Sequence, residues 1–365
     1  GQSISTRGML RIFLFLGIAS AGQNAVGTCT LTNSCDQWSP CCNNAGWCGA
    51  TYDFCGAGCY EGGNFNSTKC LPKPSCSAGK MALSPKRIAK YGDFEGDFTS
   101  QDFTIEGEHT LDEDAVVLKL KRPGSGTTLR STRYINFGRI SADLTMSRVG
   151  GVVTSFITLS DTKDEVDFEW VGRGKDEIQT NWYYRGMMPD WKDTHMNAIP
   201  DSSSTHNYAL DLTPSSITWL IDGVPVRTLD RTDDQFPASP TRFSFSIWDG
   251  AAGSPGTREW AGGDVDWEDS QFKKDGFFSL RISNIEVKCY GAATSNDSDF
   301  EMDSKFGMIL KNTKPVNTPV PQNYSNPNAP PTKSIMNPYT IITSNTASSI
   351  SHSATLLIIT LISLI

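Results

Sequence analysis

The 365-residue chain sets 32 Lys and Arg against 40 Asp and Glu, a formal net charge of −8, with 38% hydrophobic and 20% charged residues. That composition supports one or two packed domains and excludes wholesale disorder. The acidic balance excludes an electrostatic footprint for nucleic acid or anionic lipid, leaving uncharged polymers such as polysaccharides open as partners.

At the N-terminal side, Arg7 and Arg11 lead into the apolar residues 12–19, followed by the small residues Ala19, Ser20 and Ala21. This order predicts a signal peptide over residues 1–21, cut after Ala21. The apolar run is too short to span a bilayer, which takes about 20 residues. Residues 22–75 hold eight of the ten cysteines. Such density predicts a disulfide-stapled module and an oxidising compartment. Cys41 and Cys42 are adjacent and cannot bridge each other comfortably, so each must hold a different segment. The module has no histidine and no paired Cys-x2-Cys spacing, so no metal is expected.

Residues 76–290 are patterned in short strands. Residues 116–120, 140–146, 152–159, 177–183, 242–248 and 280–287 are rich in β-branched or alternating side chains. Residues 217–221, then Asp222-Gly223, then residues 224–227 predict a hairpin around a type I′ turn. No helical stripe exceeds about two turns, and the fold class expected is all-β, a β-sandwich or jelly roll. Cys76 and Cys289 bracket this domain and are expected to pair.

Residues 291–345 are rich in Pro, Ser, Thr and Asn, which predicts an extended stalk. Small residues, a polar spacer and the apolar end of the chain predict a glycolipid (GPI) anchor. Its attachment residue would be Asn345, with Ser344 next, and residues 346–365 would be its propeptide. Glycosylation sequons occur at Asn66, Asn296 and Asn323.

The most informative run is Glu165-Val166-Asp167-Phe168-Glu169-Trp170. On a strand its period of two places three carboxylates on one face and three apolar groups on the other. Three like charges in a row repel, and the apolar reverse side argues against a solvated edge strand, so catalysis is the preferred reading. Paired carboxyls are the machinery of glycosidic chemistry. The Cα atoms of Glu165 and Glu169 should lie about 13 Å apart, at about 3.3 Å per residue. Side chains leaning over Asp167 could reach retaining separation, so the spacing leaves retention or inversion open.

Two resemblances sharpen these readings. The segment Cys41-Cys42-Asn43-Asn44-Ala45-Gly46-Trp47-Cys48, continuing to Phe54-Cys55, resembles the hevein-like chitin-binding modules, carbohydrate-binding family 18. The resemblance implies the pairs Cys29–Cys42, Cys35–Cys48, Cys41–Cys55 and Cys59–Cys70. It also implies sugar stacking on Trp47 and Phe54. Asn43 stands where that family has serine, and Ala45 where strong binders carry another aromatic, so weak chitin affinity is expected. The run Glu-x-Asp-x-Glu-Trp, with Gln179-Thr180-Asn181-Trp182-Tyr183, Ile247-Trp248-Asp249-Gly250 and residues 256–263, resembles the fungal cell-wall chitin–glucan transglycosylases of the CRH type. These belong to glycoside hydrolase family 16.

That second resemblance implies a jelly-roll β-sandwich behind the small disulfide-rich module, with a cleft across the concave sheet. It implies a retaining reaction with Glu165 as nucleophile, Glu169 as general acid/base and Asp167 as the helper that orients the nucleophile. Trp182, Tyr183, Trp219, Trp248 and Trp260 are candidate sugar platforms, and Thr257 a candidate hydroxyl contact. His109, His195 and His206 show no metal or triad spacing. The expected partners are chitin and β-glucan, with no cofactor, no nucleic acid and no membrane contact beyond the anchor. The chain is expected to be a monomer, secreted to the cell wall or the outer face of the plasma membrane. A plain chitin or β-glucan hydrolase is the alternative, and a wall lectin or adhesin a further one.

Overall fold

The computed structural model describes residues 27–290, apart from residues 31, 44–45, 57–58, 69, 71–73, 173–175, 188–194, 200, 202 and 233–234. It also describes residues 300–303, 307–310 and 341–342. The signal peptide, Ala45, the Asn296 and Asn323 sequons, Asn345 with its propeptide and most of the stalk lie outside the described residues. Within the stalk, Phe300–Asp303 pairs with Gly307–Leu310. Ile341–Ile342 pairs with a strand of the domain that precedes it. These pairings depart from the extended chain that composition suggests.

The N-terminal module is a disulfide knot around strands β1 (Cys41–Cys42) and β2 (Cys48–Gly49) and helix α1 (Tyr52–Cys55). Its bonds are Cys29–Cys42, Cys35–Cys48, Cys41–Cys55 and Cys59–Cys70. Their sulfurs serve as its core, as expected where a short segment has little apolar surface to bury. Phe54 belongs to that core and is only 5% exposed, packed with Cys41, Cys59 and Cys70. A Cβ at Gly49 would come within 2.3 Å of the Phe54 ring, so glycine is what lets the ring lie flat against the backbone. Phe54 is therefore no sugar platform, contrary to the sequence expectation: a small module needs this ring for its core. Trp47 is 50% exposed and Trp38 77% exposed. Asn43 does not point at a ligand through its carbonyl, because its Oδ1 accepts the Trp47 N–H at 2.9 Å and shapes that loop.

The second domain is two stacked sheets. In chain order its strands are β3 (Gly79–Lys80), β4 (Ile88–Lys90), β5 (Phe103–Glu106), β6 (His109–Asp112), β7 (Ala115–Leu120) and β8 (Gly126–Ser131). Then follow β9 (Gly138–Met146), β10 (Val152–Ser160), β11 (Glu165–Val171), β12 (Glu177–Tyr183), β13 (His195–Ala198) and β14 (His206–Leu212). The last are β15 (Ser216–Ile221), β16 (Val224–Asp230), β17 (Thr241–Asp249) and β18 (Phe278–Cys289). One sheet has the order β13-β12-β11-β10-β17-β8-β5-β4, and the other β16-β15-β14-β9-β18-β7-β6. Neighbours far apart in sequence, such as β10 beside β17 and β9 beside β18, are the signature of a jelly roll rather than a meander. Each strand run anticipated from alternation lies in a strand. The β15–β16 turn has Asp222 and Gly223 at φ of 50° and 77°, as a type I′ turn requires.

The facing sides of the two sheets form one core. Phe156, Phe168 and Phe245 stack along the first sheet, and Tyr208 of β14 meets Trp170 edge-on at 4.8 Å from the other. Each such fully buried ring contributes roughly 1.5–3 kcal/mol from area alone. Cys76 and Cys289 are joined, tying the entry of the domain to the end of β18.

Candidate active site

The sheet register builds the site. Residues paired across antiparallel strands share a face, so rows can be read straight across the side of the first sheet that points away from the core. One row runs Tyr183, Glu165, Leu159, Arg242. The next runs Asn181, Asp167, Ile157, Ser244, Arg130 and Thr104. A third runs Gln179, Glu169, Ser155, Ser246, Thr128 and Glu106. All three carboxylates thus share one face, while Val166, Phe168 and Trp170 enter the core. Leu159 and Ile157 lie beside Glu165 and Asp167, whereas beside Glu169 the small side chains of Ser155 and Ser246, with Oγ atoms 2.6 Å apart, keep the floor low and polar.

The acidic strand is held from behind. Trp219 Nε1 donates to the Asp167 carbonyl at 2.8 Å, and Arg227 Nη1 donates to the Thr180 carbonyl at 2.6 Å. The Arg227 guanidinium lies 4.7 Å from the centre of the Trp219 ring. A cation inside an apolar core is costly unless its charge is used. Here it supplies the positive potential behind Asp167.

Glu165, Asp167 and Glu169 are 2%, 0% and 3% exposed. Burial therefore dominates their acidity. It pushes Glu165 well above the usual carboxylate range, with the Asp167 charge adding to the effect. Glu169 also lies well above it, through burial first and then the charges of Asp167 and Glu165. Asp167 is raised by burial to about 7, and held from going further by Arg227 and by hydrogen bonds from Asn181, whose backbone N–H lies 3.0 Å from Oδ1. Three acids this close cannot all ionise, so at neutral pH the set retains protons. Glu165 Oε2, Asp167 Oδ2, Glu169 Oε1, Asn181 Oδ1 and Trp248 Nε1 are buried without a hydrogen-bond partner. Native interiors seldom leave such atoms unpaired, and five on one face indicate places kept for a ligand's hydroxyls or amides.

Among the aromatics, Tyr183 shares the row of Glu165 and feels the charges of all three acids. Trp248 and Trp260 stack with ring centres 6.2 Å apart, and Trp260 Nε1 donates to Gln179 Oε1 at 2.9 Å beside Glu169. The other platform candidates do not reach this face. Trp182 pairs with Val166 and joins the core, since adjacent residues of one strand point to opposite sides. Trp219 sits on the other sheet, 0% exposed, with its N–H already committed to the acidic strand. Thr257 is 0% exposed inside α2 (Pro255–Trp260), whose N-cap Ser254 accepts from its N–H and lies 3.0 Å from its hydroxyl. Its side chain cannot touch a sugar.

Sequence reasoning missed Asn181, Gln179 and Arg227. The first two were within reach of it, because they alternate with Tyr183 on the strand paired to the acids. Arg227 carried no signal, since an arginine on a polar-looking strand reads as solvent-facing.

Residues 98–269 match the family model for glycosyl hydrolases family 16. Crh-like protein 3 of Botryotinia fuckeliana (strain B05.10) is 30% identical over 306 residues, covering 81% of this chain and 69% of that protein. Crh-like protein UTR2 of Candida albicans (strain SC5314 / ATCC MYA-2876) is 32% identical over 278 residues, covering 72% and 59%. The chain thus spans about three fifths to two thirds of the length of these relatives. A solved structure of Crh5 transglycosylase in complex with NAG aligns at a TM-score of 0.48 with 27% identity, covering 53% of this chain and 83% of that one. With its acidic strand inside the matched region, the chain belongs to glycosyl hydrolases family 16, among the Crh-like proteins.

Proposed function

We propose that this chain is a retaining transglycosylase that cleaves chitin and transfers the fragment to β-glucan. One observation carries the reading: three carboxylates on a single face, with unpaired buried oxygens, beside a stacked tryptophan pair. Glu165 attacks the anomeric carbon as the carboxylate while Glu169 gives its proton to the departing sugar oxygen and that C–O bond breaks. In the free protein Asp167 ionises before Glu165, so attack requires the Glu165 proton to pass to Asp167, which leaves the negative charge on the nucleophile. Once Glu165 is esterified one charge is gone, and Glu169 becomes the base. An acceptor hydroxyl then bonds to the anomeric carbon, its proton goes to Glu169, and the ester bond to Glu165 breaks. A sugar acceptor outcompetes water when aromatic surfaces hold it in line. Trp260, only partly buried, is suited to that role.

The disulfide module would add weak chitin affinity through exposed Trp47 and Trp38, increased by its attachment to the catalytic domain. Asn66, exposed at φ 44°, would carry a glycan. A secretory leader at residues 1–21, glycans at Asn296 and Asn323 and a lipid anchor at Asn345 would place a monomeric enzyme in the wall or on the outer membrane face. The test is labelled N-acetylglucosamine oligosaccharide incubated with glucan acceptors. Covalent hybrids lost in Glu165→Gln are expected. Shortened chitin alone would make the chain a hydrolase, and unchanged products from Glu165→Gln would overturn the nucleophile assignment.

A further inference from the structure

The two domains meet through α1. Tyr52 inserts edge-on between Phe94 and Phe98 of the β4–β5 connection, at 5.0 and 5.4 Å between ring centres. Gly96 gives it room, because a Cβ there would lie 3.0 Å from the Tyr52 ring. This clasp sets Asp53, the next residue of α1, within electrostatic reach of Arg242, Arg130, Tyr91 and Glu106 at the far end of the face that bears the acids. Arg242 lies two strands from Glu165 in its row, about 10 Å at 4.8 Å per strand, and Arg130 three strands from Asp167, about 14 Å. Tyr91, Glu106 and Arg130 line a small cleft there. Asp53, Tyr91, Glu106, Arg130 and Arg242 are all half-buried, so none is consumed by the core.

We propose that the seam between the disulfide module and the sheet is a glycan subsite, floored by Arg130 and Arg242, walled by Tyr91 and Glu106, and closed by Asp53. Three arguments support it. A linear chain crossing the strands along the Glu169 row passes over Ser155, Ser246 and Thr128 and arrives at Glu106 in this seam. The cluster sets the guanidiniums of Arg130 and Arg242 against Asp53, Glu106 and, behind Arg242, Asp161, so it offers no surplus cation for a phosphate or a uronate. What it does offer is a set of charged hydrogen-bonding groups, which suits the hydroxyls and acetamide of an uncharged pyranose. The module then acts as part of the catalytic cleft and not only as an anchor to bulk polysaccharide. This proposal rests on the transglycosylase reading for the identity of the sugar.

The test uses the full chain with donors and acceptors of varied length, measured by transfer kinetics and by calorimetric binding of N-acetylglucosamine oligosaccharides. Varying the donor against a short acceptor, and the acceptor against a short donor, tells which chain occupies the seam. Losing one charge-assisted contact should lower kcat/KM about ten- to hundredfold for the long chain and leave short ones within about twofold. Asp53→Ala and Arg130→Lys should each show this selective loss, and the double variant should lose less than the product of the two. Glu106→Gln, which keeps the side-chain shape, serves where Arg130→Lys lowers the melting temperature. Equal losses on short and long chains, or additive effects, overturn the subsite while leaving the enzymatic reading intact. Asp53-dependent binding of long oligomers without any turnover upholds the subsite and removes the transglycosylase reading.

Discussion

Replacing Asp167 by Asn tests whether the acids are crowded in the way their burial implies. The folded protein raises Asp167 from 3.8 to about 7, roughly three pK units. The folded state therefore holds that proton more tightly than the unfolded chain does. The associated stability is fully present below pH 3.8 and is lost as pH rises through about 7. At about 1.4 kcal/mol per unit the loss reaches about 4 kcal/mol, the ceiling for a group whose neighbours share its protons. Asn cannot ionise and escapes that loss. Denaturant unfolding of both proteins should give a stability difference that moves in favour of Asp167→Asn by up to about 4 kcal/mol between roughly pH 4 and pH 8. Thermal melting should show a gap of roughly 8–16 °C opening over the same interval. Transfer by the variant should fall sharply, and its residual activity should fail at lower pH, because Glu169 no longer feels the Asp167 charge and loses its proton sooner. A stability gap that is flat with pH, or that closes as pH rises, would refute the reasoning, since Asp167 would then be ionised in the fold at no cost.

The remaining predictions follow from burial and covalent topology. Trp47→Ala should reduce retention on insoluble chitin without changing thermal stability, whereas Phe54→Ala should unfold the module through about 3–5 kcal/mol of lost packing, read by protease sensitivity between residues 29 and 70. Cys76→Ser with Cys289→Ser opens a loop of 213 residues and should cost up to about 5 kcal/mol of unfolding free energy in denaturant titrations. Arg227→Met removes the cation that holds Asp167 down, so the acidity of Asp167 should weaken and the activity profile move to higher pH. Arg227→Lys should restore most of that displacement.

How much of this molecule could be read in advance follows from what each signal depends on. Strand identity depends on alternation, so β7, β9, β10, β12, β17 and β18 were legible. β8, with Gly126-Thr127-Thr128-Leu129-Arg130-Ser131, was not, because both of its faces carry polar groups. The three acids were legible because the period of two acts on one strand alone. The aromatic subsites were harder, since a tryptophan suits both a core and a sugar, and only pairing across strands decides which face it takes. Applying that same period to β12 separates Tyr183 from Trp182 and selects Asn181 and Gln179. Trp219 could not be sorted this way, because it lies on the other sheet and touches the acidic strand through the full thickness of the core.

That contact also explains how the fold tolerates its own site. Three carboxylates buried side by side favour any motion that lets water reach them, and a strand free to twist or slip by one residue would exchange its two faces. The reverse side opposes this on several fronts. Phe168 and Trp170 are locked against Tyr208, and the Asp167 carbonyl is tied to Trp219. Arg227 meanwhile grips the next strand at Thr180. A slip would have to expose those rings and strand a guanidinium in the core, each a cost of several kcal/mol. The acids are thus crowded by the same strand register that buries the rings behind them. Changes that loosen the core behind β11 should therefore impair the reaction before they unfold the domain.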